Sequence, residues 1–158
     1  MAGIKPLTRG RAQVHDKDGK LLFDSGWIHN LAMNAGLQSV CKCIGYGLAG
    51  TPFRYLALGS SNAANTNPAQ TALGAEISTL GLSRAEATVT NPTTTTTGDT
   101  TRFVHQWTAS GDATIEEVGI FDTAVTGGVM LGRLLTGSIA LHNLNTFTYT
   151  YDIILVRV

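Results

Sequence analysis

Apolar and polar residues alternate with a period of two along much of this chain, and the alternation is cleanest in its second half. From Arg102 to Ala109, Phe103, His105 and Trp107 fall on one side and Arg102, Val104 and Gln106 on the other, the signature of a strand with two different faces. "TIEEVGIFD" and "VMLGRLLTGSIAL" read as two further strands, with Gly127-Gly128 at the turn between them. "TFTYTYDIILVRV" sets Phe147, Tyr149 and Tyr151 against Thr148, Thr150 and Asp152, then turns apolar on both faces. That pattern predicts a final strand of about twelve residues in the middle of a sheet. Earlier, "FRYLALGSS" places Phe53, Tyr55 and Ala57 opposite Arg54, Leu56 and Leu58, a strand apolar on both sides and therefore central.

Turn chemistry divides these runs. Asp18-Gly19 in "HDKDGK" predicts a hairpin, because tight hairpin turns need a residue that tolerates positive φ. The threonine run 93–97, between Asn91-Pro92 and Gly98-Asp99, predicts a long exposed hairpin or loop over 91–101. Only "NLAMNAGLQSV" has helical spacing, through Leu31, Ala35, Leu37 and Val40 with Asn30 as N-cap, and the glycines at 45, 47 and 50 end it. Residues 1–12, with Lys5, Arg9 and Arg11 beside Pro6 and Gly10, read as an extended N-terminal arm. The expected fold is mainly all-β: a β-sandwich or jelly-roll-like domain over 13–158 with one short helix, preceded by that arm. The chain shows no internal repeat and no dividing linker.

Composition narrows the function classes. The 158 residues suit one domain, and only 14% are charged, with eleven cations balancing eleven carboxylates. That balance leaves no electrostatic footprint for nucleic acid. A sparsely charged surface repels copies of itself weakly and favours association. No run of 18 apolar residues predicts a membrane span, and "MAGIKPLTRGRAQV" lacks the apolar core of a secretion signal, so folding in a cytoplasm is expected. Cys41 and Cys43 stand one residue apart, too close for an unstrained disulfide and without the second pair that a zinc site needs, so both are expected as reduced thiols near a turn.

Candidate chemistry is sparse. Glu116 and Glu117 are adjacent, but on a strand neighbouring side chains leave opposite faces, so they cannot flank one scissile bond. "DKDG" has neither the ligand spacing nor the closing glutamate of a calcium loop, and "GSSNAANTNP" lacks the lysine of a phosphate loop. His15, His29, His105 and His142 are scattered, no serine sits in a nucleophile elbow, and Asp112, Asp122 and Asp152 fall at expected strand ends or in loops. Trp27, Tyr46, Trp107, Tyr149 and Tyr151 read mainly as packing residues. No catalytic constellation emerges and no cofactor or metal is expected, so a non-enzymatic binding or assembly protein is the better reading.

Three segments together resemble a pattern of tailed-bacteriophage virion structural proteins: "VHDKDGKLLFDSGWIHNLAMNAGLQSV", "YLALGSSNAANTNPAQTALGAEI" and "ATIEEVGIFDTAVTGGVMLGRLL". The similarity spans about residues 12–158, and E-V-G-I-F is its most distinctive part. The resemblance implies a structural protein of the virion, either a capsid decoration (cement) protein or a tail, neck or fibre appendage. It makes Glu117, Gly119 and Phe121 framework residues, with Arg133 the candidate partner of Glu117. A short chain without repeats or heptads suits the cement role better than a fibre shaft. On that reading the partner is the major capsid protein, the protein is a homotrimer, and Lys5, Arg9, Arg11, Thr95 and Arg102 are the interface candidates, with the arm pairing to an exposed strand edge of the capsid. Neither nucleic acid nor a membrane is expected as a partner.

Overall fold

The computed structural model describes residues 4–45, 52–63 and 67–157. In chain order the elements are β1 (Ile4–His15), β2 (Leu21–Asp24), β3 (Ile28–His29), β4 (Leu31–Ala32), α1 (Asn34–Gly45), β5 (Tyr55–Gly59), β6 (Ala85–Glu86), β7 (Thr88–Thr90), β8 (Thr100–Thr108), β9 (Ala113–Phe121), β10 (Met130–Leu141) and β11 (Thr146–Arg157). They build two antiparallel sheets. Sheet A runs β2-β1-β11-β8-β7, with β3 also paired to β1; sheet B runs β4-β10-β9-β5-β6. Over the described residues the fold is mainly β and sandwich-like with one short helix, in agreement with the periodicity.

The expected N-terminal arm is corrected. Residues 4–15 are a full strand whose partners run in unbroken register from Ile4↔Arg157 to His15↔Thr146, and β1 lies inside sheet A between β2 and β11. Its inward positions before Val14 are small: Thr8, Gly10 and Ala12. The bulk that fills the space above them comes from β11, where a Cβ on Gly10 would stand 2.0 Å from the Tyr149 hydroxyl. The first three residues of the expected arm lie outside the described residues.

The core between the sheets holds Val14, Leu56, Leu58, Phe103, Trp107, Val118, Ile120, Leu134, Phe147, Tyr149 and Tyr151. A second, smaller cluster of Met33, Ala57, Leu73, Phe121 and Met130 covers the far side of sheet B. That explains why β5 is apolar on both faces: Leu56 and Leu58 enter one core and Ala57 the other. β5 is nevertheless close to an edge, since only the two-residue β6 lies beyond it.

The hairpin at Asp16–Gly19 forms as the sequence predicts, with Gly19 at φ +83° and its N–H donating to the Asp16 carbonyl. The helix starts later than predicted. Leu31 and Ala32 pair with Arg133 and Gly132 as β4, and α1 begins at Asn34, where the Leu37 N–H donates to the Met33 carbonyl. Asn30 is therefore no N-cap; its N–H donates to Thr8 O. Cys41 lies on α1 as an exposed free thiol, as expected, and the side chain of Cys43 lies outside the described residues. Tyr46, Gly47 and Gly50 lie outside the described residues.

Candidate functional site

The residues singled out by the E-V-G-I-F segment meet on the covered face of sheet B. Arg133 on β10 stands opposite Gly119, diagonal to Glu117 on β9. Its Nε donates to Glu117 Oε2 at 2.5 Å, and both side chains are fully buried. Glu117 Oε1 accepts from the Ala75 N–H at 3.0 Å, while the Arg133 guanidinium also donates to Ala63 O at 3.2 Å and Gln70 Oε1 at 3.4 Å. The pair thus fastens the connection between β5 and β6 onto the sheet. The glycines around it are close-approach positions: a Cβ on Gly59 would stand 2.5 Å from Glu117 Oε1, and one on Gly119 2.8 Å from the Phe121 ring. Every hydrogen bond seen here serves packing of the chain on itself.

Glu116 is only half-buried. Ile115 and Val118 both enter the inter-sheet core although only two residues, Glu116 and Glu117, lie between them, so the strict alternation of β9 breaks at the glutamates, opposite the irregularity between Leu135 and Ile139.

A second buried anchor went unrecognised in the sequence. Arg84 binds Glu76 through two nitrogens at 2.9 and 2.7 Å. Its Nη1 donates to the carbonyls of Thr123, Val125 and Gly127, and its guanidinium lies 3.8 Å over the Phe121 ring. It holds the loop between β9 and β10 in place. Phe121, fully buried, is the surface on which this arginine rests.

The outer face of sheet A carries four of the five interface candidates. Register places Arg9, Asp152 and Arg102 side by side across β1, β11 and β8. Asp152 is fully buried in mid-strand, not at a strand end, and accepts from Arg9 at 2.9 and 3.1 Å and from Arg102 at 2.7 and 2.8 Å. Arg102 is pushed up by its hydrogen bond to Asp152. Trp27, 39% exposed, lies with its ring 3.9 Å below the Arg9 guanidinium. Arg11 makes a bidentate pair with Asp24, whose carboxyl is held far below the usual range by that guanidinium, then by the Gly26 N–H and the Gln13 amide. Lys5 is exposed on the same strand. The rest of the face mixes short polar residues, Thr148, Thr150, Gln106, Thr88 and Thr90, with Leu7, Val104 and Ile154 at outward register positions.

Thr95 is elsewhere, in the loop joining β7 to β8. The Asp99 carboxylate accepts from the N–H groups of Thr94, Thr95 and Thr96 at 2.7–2.9 Å, and Asn91 Nδ2 donates to the carbonyls of Gly98 and Thr100. Those backbone donors, Thr96 first, hold the Asp99 carboxyl far below the usual range. The low-complexity run is therefore a built loop.

His105 packs edge-on against Trp107 with its Nδ1 2.9 Å from Glu86 O. Among the described residues, no three His, Cys, Asp or Glu side chains are placed to hold a metal ion, and no helix is long and apolar enough to cross a membrane. An apolar groove of about 340 Å³ lies between α1 and the ends of β1, β10 and β11, lined by Pro6, Leu37, Val40, Leu131, Ile153 and Leu155. Comparison with known proteins finds no family model that matches the chain and no curated relative at a significant level.

Proposed function

We propose that this chain is a non-enzymatic structural protein of a tailed-phage virion, a capsid decoration protein that binds the outer surface of the major capsid protein lattice as a homotrimer and stabilises the head. The observation that carries the proposal is the contrast between the two sheets. The residues that match the virion pattern, Glu117, Gly119, Phe121 and Arg133, are packed internally beneath the chain's own loops. The outer face of sheet A instead presents arginines, a half-exposed tryptophan and short polar side chains.

Trp and Arg are the residue types that dominate protein–protein contacts. Lys5, Arg9, Arg11 and Arg102 outnumber Asp24 and Asp152 on this sheet, so the face suits a partner surface with exposed carboxylates. Modest contacts of this kind gain strength when a symmetric oligomer makes them together. The expected strand addition by residues 1–12 does not enter the proposal, because β1 is built into sheet A, paired along its whole length with β11 and at Arg9–Gly10 and Gln13–His15 with β3 and β2 on the other side.

Co-sedimentation with separated phage heads and tails tests the proposal. Saturable binding to expanded heads in hundreds of copies supports it, and loss of that binding in Gln106→Glu/Thr88→Glu, two exposed positions on the proposed face, locates the contact. Binding to tails alone, at a few copies, replaces it with the appendage reading.

A further inference from the structure

We infer that Trp27, with the outward ends of Arg9 and Arg102, is a binding site for an acidic peptide segment of a partner protein. The two guanidinium groups hold one Asp or Glu carboxylate of that segment, and its chain packs on the exposed part of the indole. The inference rests on the reading of sheet A as the docking face and names the chemistry that this face takes.

The charges at this place do not balance. Arg9, Asp152 and Arg102 stand in one row across β1, β11 and β8, so two cations share one carboxylate. Arg102 alone satisfies that carboxylate. Its Nε donates to Oδ1 at 2.7 Å and its Nη2 to Oδ2 at 2.8 Å, a fork with one nitrogen on each oxygen. Arg9 then adds two donors to the Oδ2 already taken, at 3.1 and 2.9 Å. A buried carboxylate calls for one matching cation, and the second is in surplus. Nearby, Arg11 is matched by Asp24, while Lys5 adds a further cation to the same face.

The surplus faces outward. Both arginines bind Asp152 through Nε and Nη2, which leaves the Nη1 amino group of each outside the pairs. The side chains of Arg9 and Arg102 are 25% and 32% exposed, against 0% for Asp152. Solvent therefore meets the unused donors and not the carboxylate. Planar guanidinium groups of this kind are the usual holders of a carboxylate at a protein contact.

Trp27 joins the two ends. Its ring centre lies 3.9 Å from the Arg9 guanidinium and 5.5 Å from that of Arg102, although β1 and β8 flank β11 on opposite sides. Two cations already draw on the electron-rich face of this indole, so the site disfavours a basic ligand. An acidic segment meets both the surplus charge and the apolar ring; a neutral one meets only the ring.

Fluorescence titration of the full chain tests the site, because the two indoles are the half-exposed Trp27 and the buried Trp107. The probe is a blocked tetraglutamate peptide, with blocked tetraglutamine as control. The expected result is a saturable change in emission with tetraglutamate, absent with tetraglutamine and weakened by added salt. Arg9→Gln cancels the surplus and leaves the Arg102 fork on Asp152, so it raises the Kd about threefold at low salt. Asp152→Asn frees a further cation and lowers the Kd; where that variant does not fold, Arg9→Gln decides alone. An equal response to the two peptides, or an unchanged Kd in folded Arg9→Gln, overturns the inference. Its failure is separate from that of the virion reading. A chain that binds tetraglutamate but no phage head keeps the site and loses the capsid as partner, and one that binds heads but not the peptide loses the site alone.

Discussion

Replacing Arg133 with methionine leaves the Glu117 carboxylate fully buried without the cation that contacts it at 2.5 Å. One hydrogen bond remains, from the Ala75 N–H to Oε1 at 3.0 Å. Breaking a buried pair from one side costs about 3–5 kcal/mol, because the remaining charge has been taken out of water without compensation. For a domain of this size that corresponds to a fall in Tm of roughly 6–20 °C. Urea unfolding at pH 7 measures the loss. The double variant Glu117→Gln/Arg133→Met removes the stranded charge and keeps an acceptor for Ala75, so it recovers more than half of the loss. A single variant within about 1 kcal/mol of the parent at pH 7 refutes the reasoning.

Four further outcomes are expected. Phe121→Ala removes a fully buried ring together with the surface beneath Arg84 and costs about 3–5 kcal/mol in denaturant unfolding. Gly119→Ala forces a Cβ to within 2.8 Å of the Phe121 ring and 2.9 Å of Leu73, a loss of about 1–3 kcal/mol by the same assay; an unchanged midpoint would show that the strands separate freely there. Deletion of residues 1–12 removes most of β1 and unpairs β11 along one side, so the far-UV circular dichroism of the folded domain is lost, and a folded, cooperative truncation product contradicts the topology. The Asp24 and Asp99 carboxyls are held below their unfolded value of about 3.9. Their contribution to stability is present above that pH and disappears as pH falls through their folded values, and carboxyl NMR titration reads both midpoints directly.

Where a run of large side chains alternates in the sequence, the strand could be read directly, as in β8 and in β11 with its aromatics at 147, 149 and 151. The turn at Asp18-Gly19 was equally plain, because positive φ selects so few residues. β1 was misread for a physical reason. Its outward positions are mostly polar, Lys5, Arg9, Arg11 and Gln13 with Leu7 among them, and its inward ones from Thr8 to Ala12 are threonine, glycine and alanine, so the bulk over that stretch is supplied by Tyr149 from the neighbouring strand. Polarity suggested an arm where complementarity had made a central strand. The late start of α1 has a similar origin: Leu31 fits a helical spacing, but β10 offers it a strand partner in Arg133. Glu117 and Arg133 were paired by motif and proximity on adjacent strands. Glu76 and Arg84 carry no such signal, since they meet through loops whose course only the folded chain defines. Asp152 looked like a strand-end aspartate because nothing in a single sequence shows two arginines, from β1 and β8, arriving on either side of it.

The pairing of Ile4 with Arg157, at one end of a twelve-residue antiparallel ladder, also sets how the molecule bears mechanical load. Force applied between those two residues pulls across the ladder and peels its hydrogen bonds apart in succession, starting at the loaded end. In a shearing geometry the same bonds would yield together. Tension through β1 and β11 therefore opens the protein like a zipper at low force, and an optical-tweezers handle attached at these positions reads that weak axis. Load entering through the broad face of sheet A is distributed across strands bound laterally to one another, which is the direction in which this architecture is stiff.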